Sequence, residues 1–143
     1  MKILLSIIAM LALSACDRYQ VTLNEREIYT PAVLFNDFQI LDPALRVCVT
    51  QAISDQRISR PQDLKLLNCA YAGITQLDGL ERFTKLETVN FANNKLLDIR
   101  PLMFFGDLKR LDLRGNSGLS CKDLLSLEML LNADLLSPQS CQK

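Results

Sequence analysis

Five cysteines are the residues of this chain best equipped for chemistry: Cys16, Cys48, Cys69, Cys121 and Cys141. A thiol can be acylated, can pair into a disulfide, or can pack as a small hydrophobe. Nothing around them suggests a catalytic nucleophile. The 143 residues include no histidine. That removes the commonest general base, the usual serine and cysteine triads and most zinc sites. Carboxylates such as Asp98 and Asp112 are scattered and lack a partner at suitable spacing. The chain is therefore not expected to be an enzyme, and no metal or cofactor is expected. Sixteen basic residues balance sixteen acidic ones. Phosphate neutralisation needs a basic excess or stripe, so nucleic-acid binding is not expected either.

What each cysteine does depends on the segment that carries it. Met1-Lys2 is a short basic start, followed by an apolar run from Ile3 to Leu13. That run has the length of a secretory h-region and is too short to span a bilayer. It ends in Leu13-Ser14-Ala15-Cys16, which resembles the bacterial lipobox. The resemblance implies cleavage before Cys16, diacylation of its sulfur and acylation of the new amino group. Residues 1–15 would be a lipoprotein signal peptide. The competing readings are an ordinary signal peptide with a chance cysteine, or a short membrane anchor. Acyl chains hold a protein to a membrane through about 0.8 kcal/mol per buried methylene. Asp17 resembles the inner-membrane retention signal of enterobacterial lipoproteins, which favours the inner over the outer membrane, facing the periplasm. Residues 16–37 then form a lipidated N-terminus and a polar tether. The alternation of Tyr19, Val21 and Leu23 offers a short strand as the alternative.

Beyond the tether, apolar residues recur every 22 positions. Leu64, Leu86 and Leu108 keep this interval, as do Leu67, Val89 and Leu111, and Cys69, Phe91 and Leu113. Leu77, Ile99 and Cys121 follow, then Leu80, Leu102 and Leu124. A fixed period of this length marks a leucine-rich solenoid, in which each unit adds one strand to a continuous core. The expected fold is α/β: a short right-handed leucine-rich-repeat solenoid of three to four parallel strands over residues 64–128. Asn94 and Asn116 stand where the chain turns off the strand, and their amides can serve backbone groups there. Ala72 takes that slot in the first unit.

A solenoid needs capped ends, because a terminal repeat otherwise shows its apolar face to water. Residues 38–63 should supply a helical N-terminal cap. Asp42 is a good N-cap and Pro43 suits the first helical position. Leu45, Cys48, Val49, Ala52 and Ile53 then share one face. Cys48 points at whatever that helix covers, and Cys69 replaces an inward leucine in the first repeat, so the two should pair. Two buried free thiols are the alternative. At the other end Ser120 and Asp123 resemble a capping box. The helix that follows carries Leu124, Leu127, Leu130 and Leu131 on one face. A Cys121–Cys141 bridge would close a loop of about twenty residues and stabilise by about 3 kcal/mol. Residues 129–143 form the C-terminal cap. Within it Leu130, Ala133 and Leu135 suggest a degenerate fourth strand, with Pro138 in the asparagine slot.

The second repeat reads Leu86, Val89, Phe91, Asn94, Leu96, Asp98, Ile99, Pro101 and Leu102 in successive slots, and the first carries Ile74, Leu77, Gly79 and Leu80 in its second half. This is similar to the short bacterial leucine-rich repeats of the internalin type. Phe38, Asp42-Pro43 and Leu45 also resemble that family's helical N-terminal cap. The resemblance covers about residues 38–128. It implies the fold and leaves the ligand open, because fold does not fix function.

Residues between the inward positions should form columns on the concave face, with strands about 4.8 Å apart. Leu66, Thr88 and Arg110 make one column, Asn68, Asn90 and Asp112 the next, and Ala70, Ala92 and Arg114 a third, with Tyr71, Asn93 and Gly115 at its edge. Tyrosine and arginine often carry interface energy. The expected function is binding of a protein or peptide of the cell envelope through Asn68, Tyr71, Asn90, Arg110, Asp112 and Arg114. A lipoprotein that merely gives bulk or spacing is the alternative.

Overall fold

The computed structural model describes residues 21–23, 26–29 and 32–141. The expected signal peptide over residues 1–15, Cys16 and Asp17 lie outside them. Two units are distinct, one of them beginning at Leu34. In the other, β1 (Val21–Leu23) pairs antiparallel with β2 (Arg26–Tyr29). This ribbon falls within residues 16–37 and includes the Val21 and Leu23 alternation read as a short strand. Val, Thr, Ile and Tyr favour extended backbone, and here that preference is expressed as a two-stranded ribbon.

The second unit is α/β. Helix α1 (Pro43–Asp55) precedes β3 (Leu66–Asn68), β4 (Thr88–Asn90) and β5 (Arg110–Asp112). Helix α2 (Cys121–Leu130) then leads to β6 (Asp134–Leu136). The four strands form one all-parallel sheet in the order β3-β4-β5-β6. Leu67, Val89 and Leu111 pair across it and are buried, so the 22-residue period is also the register between strands. The return from β3 and from β4 is a short 3-10 turn, Leu80–Arg82 and Arg100–Phe104 respectively. These turns bury Leu80 and Leu102, and Phe83 and Phe105 follow them into the core. Deleting such a fully buried side chain leaves a cavity and costs about 2–5 kcal/mol.

Two side-chain networks tie successive 22-residue units together. Asn94 Oδ1 accepts from the N–H groups of Ala72 (3.1 Å) and Ile74 (3.0 Å). Its Nδ2 donates to the carbonyls of Cys69 (2.8 Å) and Phe91 (2.9 Å). Asn116 repeats the pattern with Leu96 N–H and the carbonyls of Phe91 and Leu113. Both amides are buried. Each therefore satisfies backbone of its own turn and of the unit before. Ala72 needs no amide because no such unit precedes it, and its own N–H is served from Asn94.

The N-terminal end is closed from several directions. Leu45, Val49 and Ile53 bury one face of α1 in the core. A disulfide joins Cys48 to Cys69, and Gln56 Nε2 donates to the carbonyl of Leu66 on the edge strand (2.9 Å). Asp42 does more than cap. Its Oδ1 accepts from Ala44 and Leu45 N–H (2.9 and 3.0 Å). Its Oδ2 accepts from the N–H and hydroxyl of Thr75 (both 2.8 Å) and from Gln76 N–H (3.2 Å). Burial raises the carboxyl pKa, but these hydrogen bonds outweigh it, and the net shift is downward. Phe35, ahead of residue 38, joins this end through a backbone bond to the Ile58 carbonyl (2.8 Å). Phe35 and Phe38 pack on Phe83 with ring centroids 6.0 and 5.6 Å away. Gly79, at φ +94°, lets the chain pass Gln39; a Cβ there would meet that carbonyl oxygen at 2.0 Å.

The C-terminal end departs from the period. Arg110 pairs with Asp134 and Leu111 with Leu135, an offset of 24 residues. Leu135, not Ala133, therefore takes the inward slot, and Pro138 does not occupy an asparagine position. Accommodating a full helix, α2, between β5 and β6 takes two more residues than a 3-10 return. An even shift keeps each side chain on its face. Ser120 caps α2 through Asp123 N–H (3.4 Å), and a second disulfide joins Cys121 to Cys141. Among the described residues no helix is long and apolar enough to cross a membrane.

Candidate interaction face

The outward side of the sheet is set by strand alternation: Leu66 and Asn68 flank inward Leu67, and their counterparts follow in register. The six residues expected to bind do share this region, yet their roles differ. Asn68, Asn90 and Asp112 all turn a side-chain oxygen onto the N–H two residues ahead. The acceptors reach Ala70 (3.4 Å), Ala92 (2.9 Å) and Arg114 (3.1 Å). This is Asx-turn geometry, and it shapes the exit from each strand. The two asparagines keep an Nδ2 donor with no acceptor among the described residues.

Asp112 is the most enclosed of the six, with only 6% of its surface exposed. Arg114 folds back on it, with Nη2 to Oδ2 at 2.5 Å and Nε to Oδ1 at 3.0 Å. The Arg114 guanidinium holds the Asp112 carboxyl below the usual carboxylate range, against the effect of burial. Arg110 is likewise engaged, by Asp134 at 2.9 Å. Strand alternation points these side chains outward, but it does not show that the counter-charge stands on the next strand for Arg110 and two residues back for Arg114. Pairs between exposed partners contribute little to stability. They do occupy the groups a ligand would otherwise meet.

Tyr71 stands apart. It is 79% exposed and its φ is +57°. The equivalent positions hold Asn93 (φ +57°) and Gly115 (φ +75°), residue types that tolerate left-handed backbone. A side chain at 115 would collide with Asn93 Oδ1, 2.2 Å from its Cβ. At 71 a bulky aromatic takes the same strained slot, at a cost of about 1–3 kcal/mol. The 22-residue alignment put Tyr71 in line with Asn93 and Gly115, and that was the available signal for its backbone.

Leu66 (52% exposed) and Val47 (69% exposed) form an apolar part of this surface absent from the expected set. They line a groove of about 760 Å³ between α1 and β3. Val47 sits outside the apolar face of α1 read from sequence, which was its visible signal. Along the strand starts, Lys65, Glu87 and Lys109 form a charge ladder, Lys65 Nζ lying 2.8 Å from Glu87 and Lys109 also bonding it. The Lys109 and Lys65 hydrogen bonds pull the Glu87 carboxyl down to about 2. Among the described residues no cluster of cysteine and carboxylate groups is arranged to hold a metal ion.

The chain matches no protein-family model, and no curated protein matches it.

Proposed function

We propose that this chain is a lipid-anchored leucine-rich-repeat protein of the bacterial cell envelope that holds a protein or peptide on its outward sheet face. It is read as a binding module and not as an enzyme. The observation that carries the reading is the in-register stacking of β3, β4 and β5 at 22-residue spacing. It lays out a polar surface with an exposed, backbone-strained tyrosine beside it. Strain kept at an exposed aromatic costs stability and gains no packing, which suits a residue retained for contact. The asparagine networks between units support the solenoid reading, as does the cap built from α1. The lipobox-like run at Cys16 supports the anchor.

A spacer role is the second reading, favoured by the mutual pairing of Arg110 with Asp134 and Arg114 with Asp112. Capture of partners from solubilised native membranes, read by mass spectrometry, separates the two. The wild-type chain should bring down a specific protein and the double variant Tyr71→Ala with Arg110→Ala should not. Equal capture by both would sink the binding-face reading, and no capture by either would favour the spacer.

A further inference from the structure

The polar groups at the β5 end of the face are spent on one another, whereas the β3 end is open. We propose that the groove between α1 and β3 seats a polypeptide segment that presents an aliphatic side chain beside a lysine or arginine. This rests on the binding-face reading and moves its centre from the arginines to the first strand.

The walls define the aliphatic part. Ala44, Val47 and Ala52 come from the flank of α1, and Leu66 and Ala72 from β3 and its exit. Val47 and Leu66 stand exposed across the groove although neither contributes to the core. A space of about 760 Å³ suits a few side chains.

The charge defines the rest. Asp55 is the one charged residue lining the groove. It is the last residue of α1, and that helix has no basic residue in its last turn. The carbonyl end of a helix carries partial negative charge, so a carboxylate there adds to it. Gln51 Nε2 donates to Asp55 Oδ1 at 2.7 Å, and Oδ2 has no hydrogen-bond partner among the described residues. Arg57 follows the helix but is not part of the groove wall. One end of an apolar groove is therefore negative without an internal cation. A lysine or arginine fits both features, because its aliphatic stem packs on apolar walls while its head meets the carboxylate. Asn68 Nδ2 and the side-chain carbonyl oxygens of Gln51 and Gln56, whose Nε2 atoms bond Asp55 and the Leu66 carbonyl, can meet a peptide backbone.

The test is selection of displayed random 12-residue peptides on the full chain in detergent, followed by affinity measurements on synthesised winners. Selected peptides should be enriched in leucine, isoleucine or valine next to lysine or arginine. Val47→Ser and Leu66→Ser should each weaken them at least tenfold. Asp55→Asn should remove the preference for a basic over a glutamine-substituted peptide. Thermal melts of the same variants show that each is folded. Winners insensitive to these three changes but weakened by Arg110→Ala or Arg114→Ala would overturn the groove while sparing the face. Winners insensitive to all five, or no winners, would overturn both.

Discussion

At the residue scale, two side chains show how position within a repeat changes a residue's work. Tyr71 holds a left-handed backbone slot that its counterparts fill with asparagine and glycine. Tyr71→Gly should therefore raise the melting temperature by about 4 °C, since relieving about 1 kcal/mol of strain shifts a domain of this size by that much. The same variant should lose partner capture. A stable variant that still captures would show the tyrosine to be incidental. Asp42 is the opposite case, a carboxylate whose five hydrogen bonds join the helix cap to the Thr75 turn. Asp42→Ala should cost about 2–4 kcal/mol in urea unfolding at pH 7, through the lost cap and the unsatisfied donors. Because the native pKa lies below the ordinary 3.8, that advantage is complete above pH 3.8. It disappears as pH falls through the lowered native value. The gap between variant and wild type should close in acid, and a gap independent of pH would contradict the assignment.

At the scale of elements, the cysteines show why pairing follows from placement. Cys48 lies on the inward side of α1 and Cys69 one residue past β3, so the bridge fastens the cap to the edge of the sheet. Its removal in Cys48→Ala with Cys69→Ala should cost about 2–4 kcal/mol in a chain-entropy view. Hydrogen exchange should then show α1 losing protection first, while β4 and β5 keep theirs. Uniform loss of protection would mean that the cap and the sheet open together. Two boundaries in these elements were illegible in the sequence. The fourth strand was placed by extending the 22-residue count, but α2 consumes two further residues and shifts β6 to a 24-residue offset. Phe35 belongs to no local period of the sequence. Its place is set by Phe83, nearly fifty positions away, against which it packs edge-on.

At the scale of the whole molecule, charge is also organised across strands. Lys65, Glu87 and Lys109 span three successive units. The Glu87 carboxyl lies near 2, down from its ordinary 4.5, so its contribution is complete above pH 4.5 and fades as pH falls towards 2. Glu87→Gln should flatten the melting temperature over that interval, and an unchanged acid slope would show the ladder to be solvated and silent. High salt should reduce the same effect, because exposed pairs are screened. The anchor proposed at Cys16 belongs to this scale as well. Palmitate labelling of cells should be present in the wild type and absent in Cys16→Ser, and a persistent label would end the lipobox reading.

The sequence by itself determined the inward positions and the apolar face of the cap helix, because these depend on periodicity, whereas the cysteine pairs follow from where the caps sit. A leucine repeated every 22 residues and a cysteine on a helix's apolar side are local facts, and in a stacked architecture the neighbour in space is one period away. Only the tertiary structure decided what the outward side chains do. Whether Arg114 faces a ligand or folds onto Asp112, and whether Arg110 meets solvent or Asp134, depends on distances between strands and on rotamers. Outward positions carry no periodic burial constraint, so no pattern in the chain records these choices. The groove beside Leu66 has the same origin. It exists where helix α1 and the strand that follows it come together, and neither segment alone describes it.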